Sequence, residues 1–288
     1  LSLTFIVICA TSFYFYKRIS QKPTHIIWIS LDTQRAQSLE LYGYPKQTSP
    51  FLKKFGDENI VFEKTYVQGT VTNLSHFSML TGTYPLKHGI LSIDSNLRLP
   101  SNIKLVSEIL KDKGFKTLLS GSLRGNPYLS PEVGLKRGFD TIYYDDPIRF
   151  DWAMTKTLNK MREMHQTGKN TFSFVHTTMV HVPYFPTKEC YAPFAVAHKS
   201  KIIWDRETVL KSMGKDISKV NLENPIDISL MEAFLKNVDP KDPKEMEMLE
   251  ALYNGSIKCQ DKQLEKFLTS IPDPNNTIII ITADHGES

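Results

Sequence analysis

Short, nearly continuous apolar runs alternate along the chain with longer stretches in which apolar positions recur every three to four residues. Residues 25–32, HIIWISLD, form one such run and close on a carboxylate. This pattern predicts a central parallel strand, buried on both faces, that delivers Asp32 at its C-terminal end. Residues 49–57 open with Ser-Pro and read as a short helix. Residues 60–68 read as a strand, and a helix starts near Thr72 and stops before Gly82. An amphipathic helix over 104–113, closed by Gly114, feeds a strand over 115–120. Helical spacing returns over 152–165, and a strand over 171–177 leads into the loop HVPYFP. Residues 245–270 form a long amphipathic helix with Met248, Leu252, Ile257, Leu264 and Leu268 on its apolar face, stopped by Pro272 and Pro274. A last strand, 277–282, ends in Ala283-Asp284-His285-Gly286-Glu287. Repeated strand-helix-strand units predict an α/β fold with a mostly parallel central sheet and helices on both faces. Sites in such sheets gather at the strands' C-terminal ends, so Asp32 and Asp284 are expected side by side.

Two stretches break the pattern. Residues 186–243 lose periodicity and carry several prolines and charges, which suggests an insertion lying on the surface. Residues 1–16, LSLTFIVICATSFYFY, are almost free of charge and are followed by Lys17 and Arg18. With the linker to residue 23 they read as a membrane anchor or signal segment, which makes 24–288 a catalytic domain outside the cytoplasm. The chain opens at Leu1 without a basic leader, so its start reads as truncated. Cys9 lacks the small residue before it that a lipidation site wants, and lipidation is not favoured.

With 288 residues, 41% of them hydrophobic, the chain can bury a full core in one large domain or at most two. A formal charge of +4 with no long basic run argues against nucleic acid as a partner and leaves a small anionic substrate open. Three cysteines are too few for a disulfide framework or a thiolate metal site. Cys190 and Cys259 are candidates to pair in an oxidising compartment, which the sequence leaves undecided.

Asp32, Asp284 and His285 offer two carboxylates and an imidazole to a hard or borderline dication, and the Thr72 hydroxyl completes the set. A hydroxyl on a metal is acidified and held in place as a nucleophile. Singly, Asp32 reads equally as a cap and Asp284 as the start of a turn. His181 follows a buried strand at the same sheet end and reads as a site residue, whereas His176 reads as structural. Arg35, Lys87 and His88 could hold an anionic ester but read as surface charge. The glycosylation sequon Asn73-Leu74-Ser75 overlaps the helix at Thr72 and reads as chance.

The stretch HIIWISLDTQRAQSLELYGYPKQTSPFLKKF resembles the opening of the sulfatase family, in the alkaline phosphatase superfamily. TVTNLSHFSMLTGTYPLKHGI resembles the family's nucleophile helix with its Leu-Thr-Gly-x-Tyr-Pro-x-x-His-Gly signature. GLKRGFD, HTTMVHVPY and ITADHGE match three later landmarks in order, so the resemblance covers about residues 24 to 288 and is weakest over 186–243. It implies that Asp32, Asp284 and His285 are metal ligands, that Thr72 stands at the nucleophile position on the metal, and that His181 contacts substrate or the leaving group. The family continues past ITADHGE with further site residues and a C-terminal subdomain, so the chain reads as a fragment.

Two departures from the family pattern sharpen the expectation. Thr72-Asn73-Leu74-Ser75-His76 lacks the Cys or Ser, the Pro and the Arg that direct formylglycine formation, so no formylglycine is expected. A plain threonine resembles the phosphate-handling branches: phosphodiesterases, phosphonate hydrolases, and phosphoethanolamine or phosphoglycerol transferases. Thr33 stands where many sulfatases have a second Asp, which removes an oxygen ligand and favours Mn²⁺ or Zn²⁺ over Ca²⁺. No Asp-x-x-x-His pair is present for a second ion, so one divalent metal is expected. The expected function is metal-dependent hydrolysis of a phosphate or sulfate ester, phosphate favoured. The rivals are a membrane-associated transferase and a catalytically silent binding protein.

Overall fold

The computed structural model describes residues 23–92, 97–121, 133–144, 150–195, 234–236 and 238–287. The apolar segment 1–16 and most of the expected insertion lie outside the described residues. Among the described residues no helix is long and apolar enough to cross a membrane.

Five strands form one parallel sheet: β1 His25–Leu31, β2 Lys116–Gly121, β3 Thr141–Tyr144, β4 Thr171–Thr177 and β5 Thr277–Ala283, in the order β3-β2-β4-β1-β5. Every residue of β4 is buried, as a strand with neighbours on both edges and helices on both faces requires. Leu31 lies beside Thr177 on one side and Ala283 on the other. The next residues of these three strands, Asp32, Thr178 and Asp284, therefore emerge together at one end of the sheet.

The helices are α1 Pro50–Asp57, α2 Thr72–Thr81, α3 Pro85–His88, α4 Val106–Asp112, α5 Phe150–Gln166, α6 Lys188–Tyr191 and α7 Pro243–Leu268. One face of the sheet packs Ile27, Ile29 and Leu31 with Met161 of α5 and Leu252, Ile257 and Leu264 of α7. The other packs Phe172, Phe174 and Leu119 with Phe77 and Leu80 of α2. Each fully buried side chain of this size contributes about 1.5–3 kcal/mol. Alternate strand residues serve opposite layers, so the sheet binds both into one domain.

Local chemistry sets where α7 begins and what it holds. Pro243 occupies its first turn and Asp242 accepts a hydrogen bond from the Lys244 N–H. Asp261, buried on α7, accepts from the N–H groups of Phe51 and Leu52 at 2.8 and 2.9 Å and so caps α1. Burial pushes its carboxyl up to about 6. Cys190 of α6 and Cys259 of α7 form a disulfide. A Cβ at Gly255 would fall 2.6 Å from Tyr191 Cβ, so the close approach of α6 to α7 depends on that glycine. At the opposite end of the sheet from Asp32, the rings of His25 and His165 stack at 3.3 Å, both within reach of Thr171 Oγ1.

Residues 60–68 are not a strand. Ile60, Phe62 and Tyr66 are 87, 72 and 80% exposed, and the segment pairs with no strand among the described residues. Its β-like composition lacks the neighbour that makes such residues a strand. The short edge strand β3 was not anticipated.

Candidate active site

The strand ends supply the centre. Asp32 and Asp284 are buried, and with His285 they present ligand atoms all within 4.8 Å of one another. His285 Nε2 lies 3.6 Å from Asp32 Oδ1 and 3.5 Å from Asp284 Oδ2. Its other nitrogen, Nδ1, is 2.8 Å from the Gly286 carbonyl, which only accepts. A proton therefore sits on Nδ1, and Nε2 faces the carboxylates. Thr72, the first residue of α2, places Oγ1 3.2 Å from that Nε2. It lies at the positive end of the helix dipole, where negative charge is favoured.

Both Asp32 oxygens and Asp284 Oδ2 are buried without a hydrogen-bond partner. Buried carboxylate oxygens are rarely left so. Two such carboxylates facing a histidine lone pair are a donor set that fits a divalent cation. Burial, and then the charge of Asp32, hold the Asp284 carboxyl well above its ordinary range. Asp32 goes the other way: burial alone would raise it, but His176, His181 and His285 around it outweigh burial and hold it low.

A second layer steadies these groups. Thr33 N–H and His285 N–H both donate to Asp284 Oδ1, at 3.1 and 2.8 Å, and Ser75 Oγ donates to the Asp284 carbonyl. His76 Nδ1 donates to the Thr72 carbonyl at 2.8 Å and lies 3.4 Å from Asp284 Oδ2, while its Nε2 accepts from Ser30 Oγ at 3.0 Å. Burial, followed by neighbouring His176, lowers His76 to about 3, so its ring is neutral. His176 Nε2 sits 3.4 Å from Asp32 Oδ2, at ion-pair distance. Thr33 itself holds φ at 57°, an uncommon conformation for a β-branched residue and a local strain beside the centre.

The remaining candidates separate. His181 lies on the turn after β4, near enough to act on the Asp32 charge, and its Nδ1 donates to the Val182 carbonyl at 2.6 Å, leaving Nε2 free. Arg35 stacks on Tyr253 of α7 at 4.5 Å. His88 is buried against Ser78 Oγ and the Ile90 N–H, a structural role, and Lys87 is exposed. Asn73 is buried, with Nδ2 donating to the Ser92 carbonyl at 2.7 Å, so the sequon there is closed to glycosylation. Sequence reasoning passed over Ser30, His76, Tyr184 and Tyr253. Ser30 on β1, His76 on α2, Tyr253 on α7 and Tyr184 in the loop after β4 look like ordinary core in sequence, and only the packing of these elements reveals what they face.

The chain is 25% identical to the ulvan-active sulfatase of Formosa agariphila over 92% of its own length and 51% of that protein. It is 25% identical to human N-acetylgalactosamine-6-sulfatase over 46% of this chain and 30% of that one. The chain thus spans about a third to a half of the length of these curated relatives. A solved structure in complex with its substrate D-glucosamine-2-N,6-O-disulfate superposes with a TM-score of 0.66 at 18% identity, covering 92% of this chain and 66% of that one. That likeness shows the shared α/β fold. The family model for sulfatases matches residues 24–288, and the chain belongs to the sulfatase family.

Proposed function

We propose that this chain carries the reaction centre of a metal-dependent ester hydrolase in which unmodified Thr72 is the nucleophile and phosphate esters are preferred to sulfate esters. The observation that carries the reading is the meeting of Thr72 Oγ1, at a helix N-terminus, with His285 Nε2 and with three buried, partnerless carboxylate oxygens, both of Asp32 and Oδ2 of Asp284. A silent binding protein has no use for two buried carboxylates with three oxygens left unpaired.

Asp32, Asp284, His285 and Thr72 Oγ1 would hold one divalent ion, Mn²⁺ or Zn²⁺ by the mixed oxygen and nitrogen donors. Such an ion acidifies a bound hydroxyl and stabilises charge on ester oxygens. Thr72 Oγ loses its proton to solvent and attacks phosphorus, and the bond to the leaving oxygen breaks as the new P–O bond forms. His181, on the turn after β4 at that end of the sheet, would supply the proton to the leaving oxygen from Nε2 of its doubly protonated ring, Nδ1–H staying on the Val182 carbonyl. Water then cleaves the Thr72 ester, or an acceptor alcohol takes the group in the transferase variant. Phosphate is preferred because the Thr72-Asn73-Leu74-Ser75-His76 stretch cannot form the formylglycine hydrate. The Cys190–Cys259 bond supports an oxidising compartment, in line with export directed by residues 1–23.

The test compares aryl phosphate, phosphodiester and aryl sulfate turnover by the metal-loaded protein with that of Thr72→Ala and Thr72→Ser. Thr72→Ala should abolish turnover at a stability cost of about 1 kcal/mol, Thr72→Ser should keep part of it, and mass analysis of the 72–76 peptide should show intact threonine. Full activity in Thr72→Ala removes Thr72 from the mechanism, and a preference for sulfate esters overturns the phosphate assignment. Adding an alcohol acceptor and analysing products separates hydrolysis from transfer.

A further inference from the structure

Arg35 is three residues beyond Asp32, and its surroundings differ from those of a surface cation. Its backbone N–H donates to Tyr253 Oη at 3.0 Å, and that hydroxyl donates onward to the Thr33 carbonyl at 2.8 Å. The guanidinium lies over the same tyrosine's ring at 4.5 Å. One aromatic residue of α7 thus fixes both the main chain and the side chain of Arg35. On the other side, a Cβ at Gly286 would come within 3.2 Å of Arg35 Cγ, so the arginine stem lies against the residue that follows His285.

Among the described residues Arg35 forms no ion pair, and its Nε–H is buried with no acceptor. The nearby carboxylate of Glu287 acts on Tyr184, whose hydroxyl is pushed above the usual range by burial first and by Glu287 next. A guanidinium stays charged at any working pH and offers a rigid fork of donors matched to oxyanions. Leaving one of those donors buried and unpaired costs stability that an incoming acceptor would restore.

We infer that Arg35 is a specificity-determining residue that binds an oxyanion of the substrate beside the Asp32–Asp284–His285 centre, with Tyr253 as its positioning residue. The inference deepens the proposed function and rests on it for the site's location. The oxyanion comes either from the reacting phosphoryl or sulfuryl group or from a second acidic group on the same substrate.

Calorimetric titration of the metal-loaded protein with inorganic phosphate, alongside KM and kcat for 4-nitrophenyl phosphate and 2-carboxyphenyl phosphate, tests it. Arg35→Gln should weaken binding by about tenfold or more, the size of one charge-assisted hydrogen bond. Arg35→Lys should recover only part of that, because an ammonium lacks the planar fork. Tyr253→Phe, which keeps the ring but loses the hydroxyl bridge, should raise KM by a smaller factor and leave kcat near wild type. If Arg35 meets the reacting group, phosphate affinity itself falls. If it meets a second acid, phosphate affinity holds and only the carboxylated substrate loses KM. Arg35→Gln with both quantities within about twofold of wild type, in a protein whose melting temperature is unchanged, overturns the inference. Phosphate titration needs no turnover, so a failed Thr72 nucleophile appears as activity in Thr72→Ala, separately from this result.

Discussion

Asp32→Asn isolates the electrostatics of the site from its packing, because it removes a charge while keeping the shape. In the metal-free protein Asp32 and Asp284 stand with ligand atoms within 4.8 Å, both buried. Two unit charges at that separation repel by about 3.5 kcal/mol at an effective dielectric constant of roughly 20. The histidines around Asp32 favour its charge, so the relief from the substitution appears only at a pH where Asp284 also ionises. Asp284's carboxyl is raised by burial and then by Asp32. A carboxyl whose folded value lies above its unfolded one contributes stability that is present in acid and lost as pH rises through the folded value. The relief should therefore be larger at pH 8 than at pH 5. With a divalent ion present the order reverses. Wild type gains about 2.7 kcal/mol at a metal concentration a hundredfold above Kd, which for a domain of this size is roughly 5–11 °C in melting temperature. Asp32→Asn should gain almost nothing. Thermal unfolding at both pH values, with chelator and with Zn²⁺ or Mn²⁺, gives all the comparisons. A metal-free Asp32→Asn protein whose stability relative to wild type does not improve from pH 5 to pH 8 would refute the charge argument. Retention of the full metal-dependent shift would refute the assignment of Asp32 as a ligand.

Two further predictions concern the scaffold. Burial lowers both His25 and His165, the latter to about 4 with His25's charge as the second cause, so the unfolded chain takes up these protons first. Stability should fall as pH drops from about 6.5 toward 4, and His165→Gln should flatten that limb in urea titrations; an unchanged slope rejects the stacked pair as its source. Reducing Cys190–Cys259, which joins residues 69 apart, should cost about 2–4 kcal/mol in the same titrations, and a loss below about 0.5 kcal/mol would show that α6 holds to α7 by packing alone.

Asp32, Asp284 and His285 were legible together because parallel strands advertise themselves as apolar runs and site residues follow their ends, whereas Thr72 was singled out by the resemblance of its helix to the sulfatase nucleophile helix. Spacing alone also found α5 and α7 to within a few residues. What stayed hidden depended on partners rather than on the segment itself. Ile60, Phe62 and Tyr66 have the composition of a strand, yet pairing is decided by a neighbour that a one-dimensional reading cannot supply. His176 sits in a run of β4 residues that reads as core, and its place beside Asp32 follows only from β4 lying next to β1. The pairing of Cys190 with Cys259 needed the packing of α6 on α7, since cysteine spacing carries no geometry.

The order of the sheet also bears on biosynthesis. Asp32 and Asp284 come from neighbouring strands that are among the first and last elements of the described chain. Emerging from a ribosome, β1 can pair with β4 early, with β2 and β3 beyond it, while the slot on its other edge stays open until β5 is made. Such long-range closure is slow, because the loop entropy is lost before the contacts form. Until residue 285 is extruded and β5 docks, the centre has Asp32 and the Thr72 hydroxyl but lacks both Asp284 and His285. A nascent domain still lacking β5 should therefore hold a divalent ion poorly, and metal loading would report that β5 is in place.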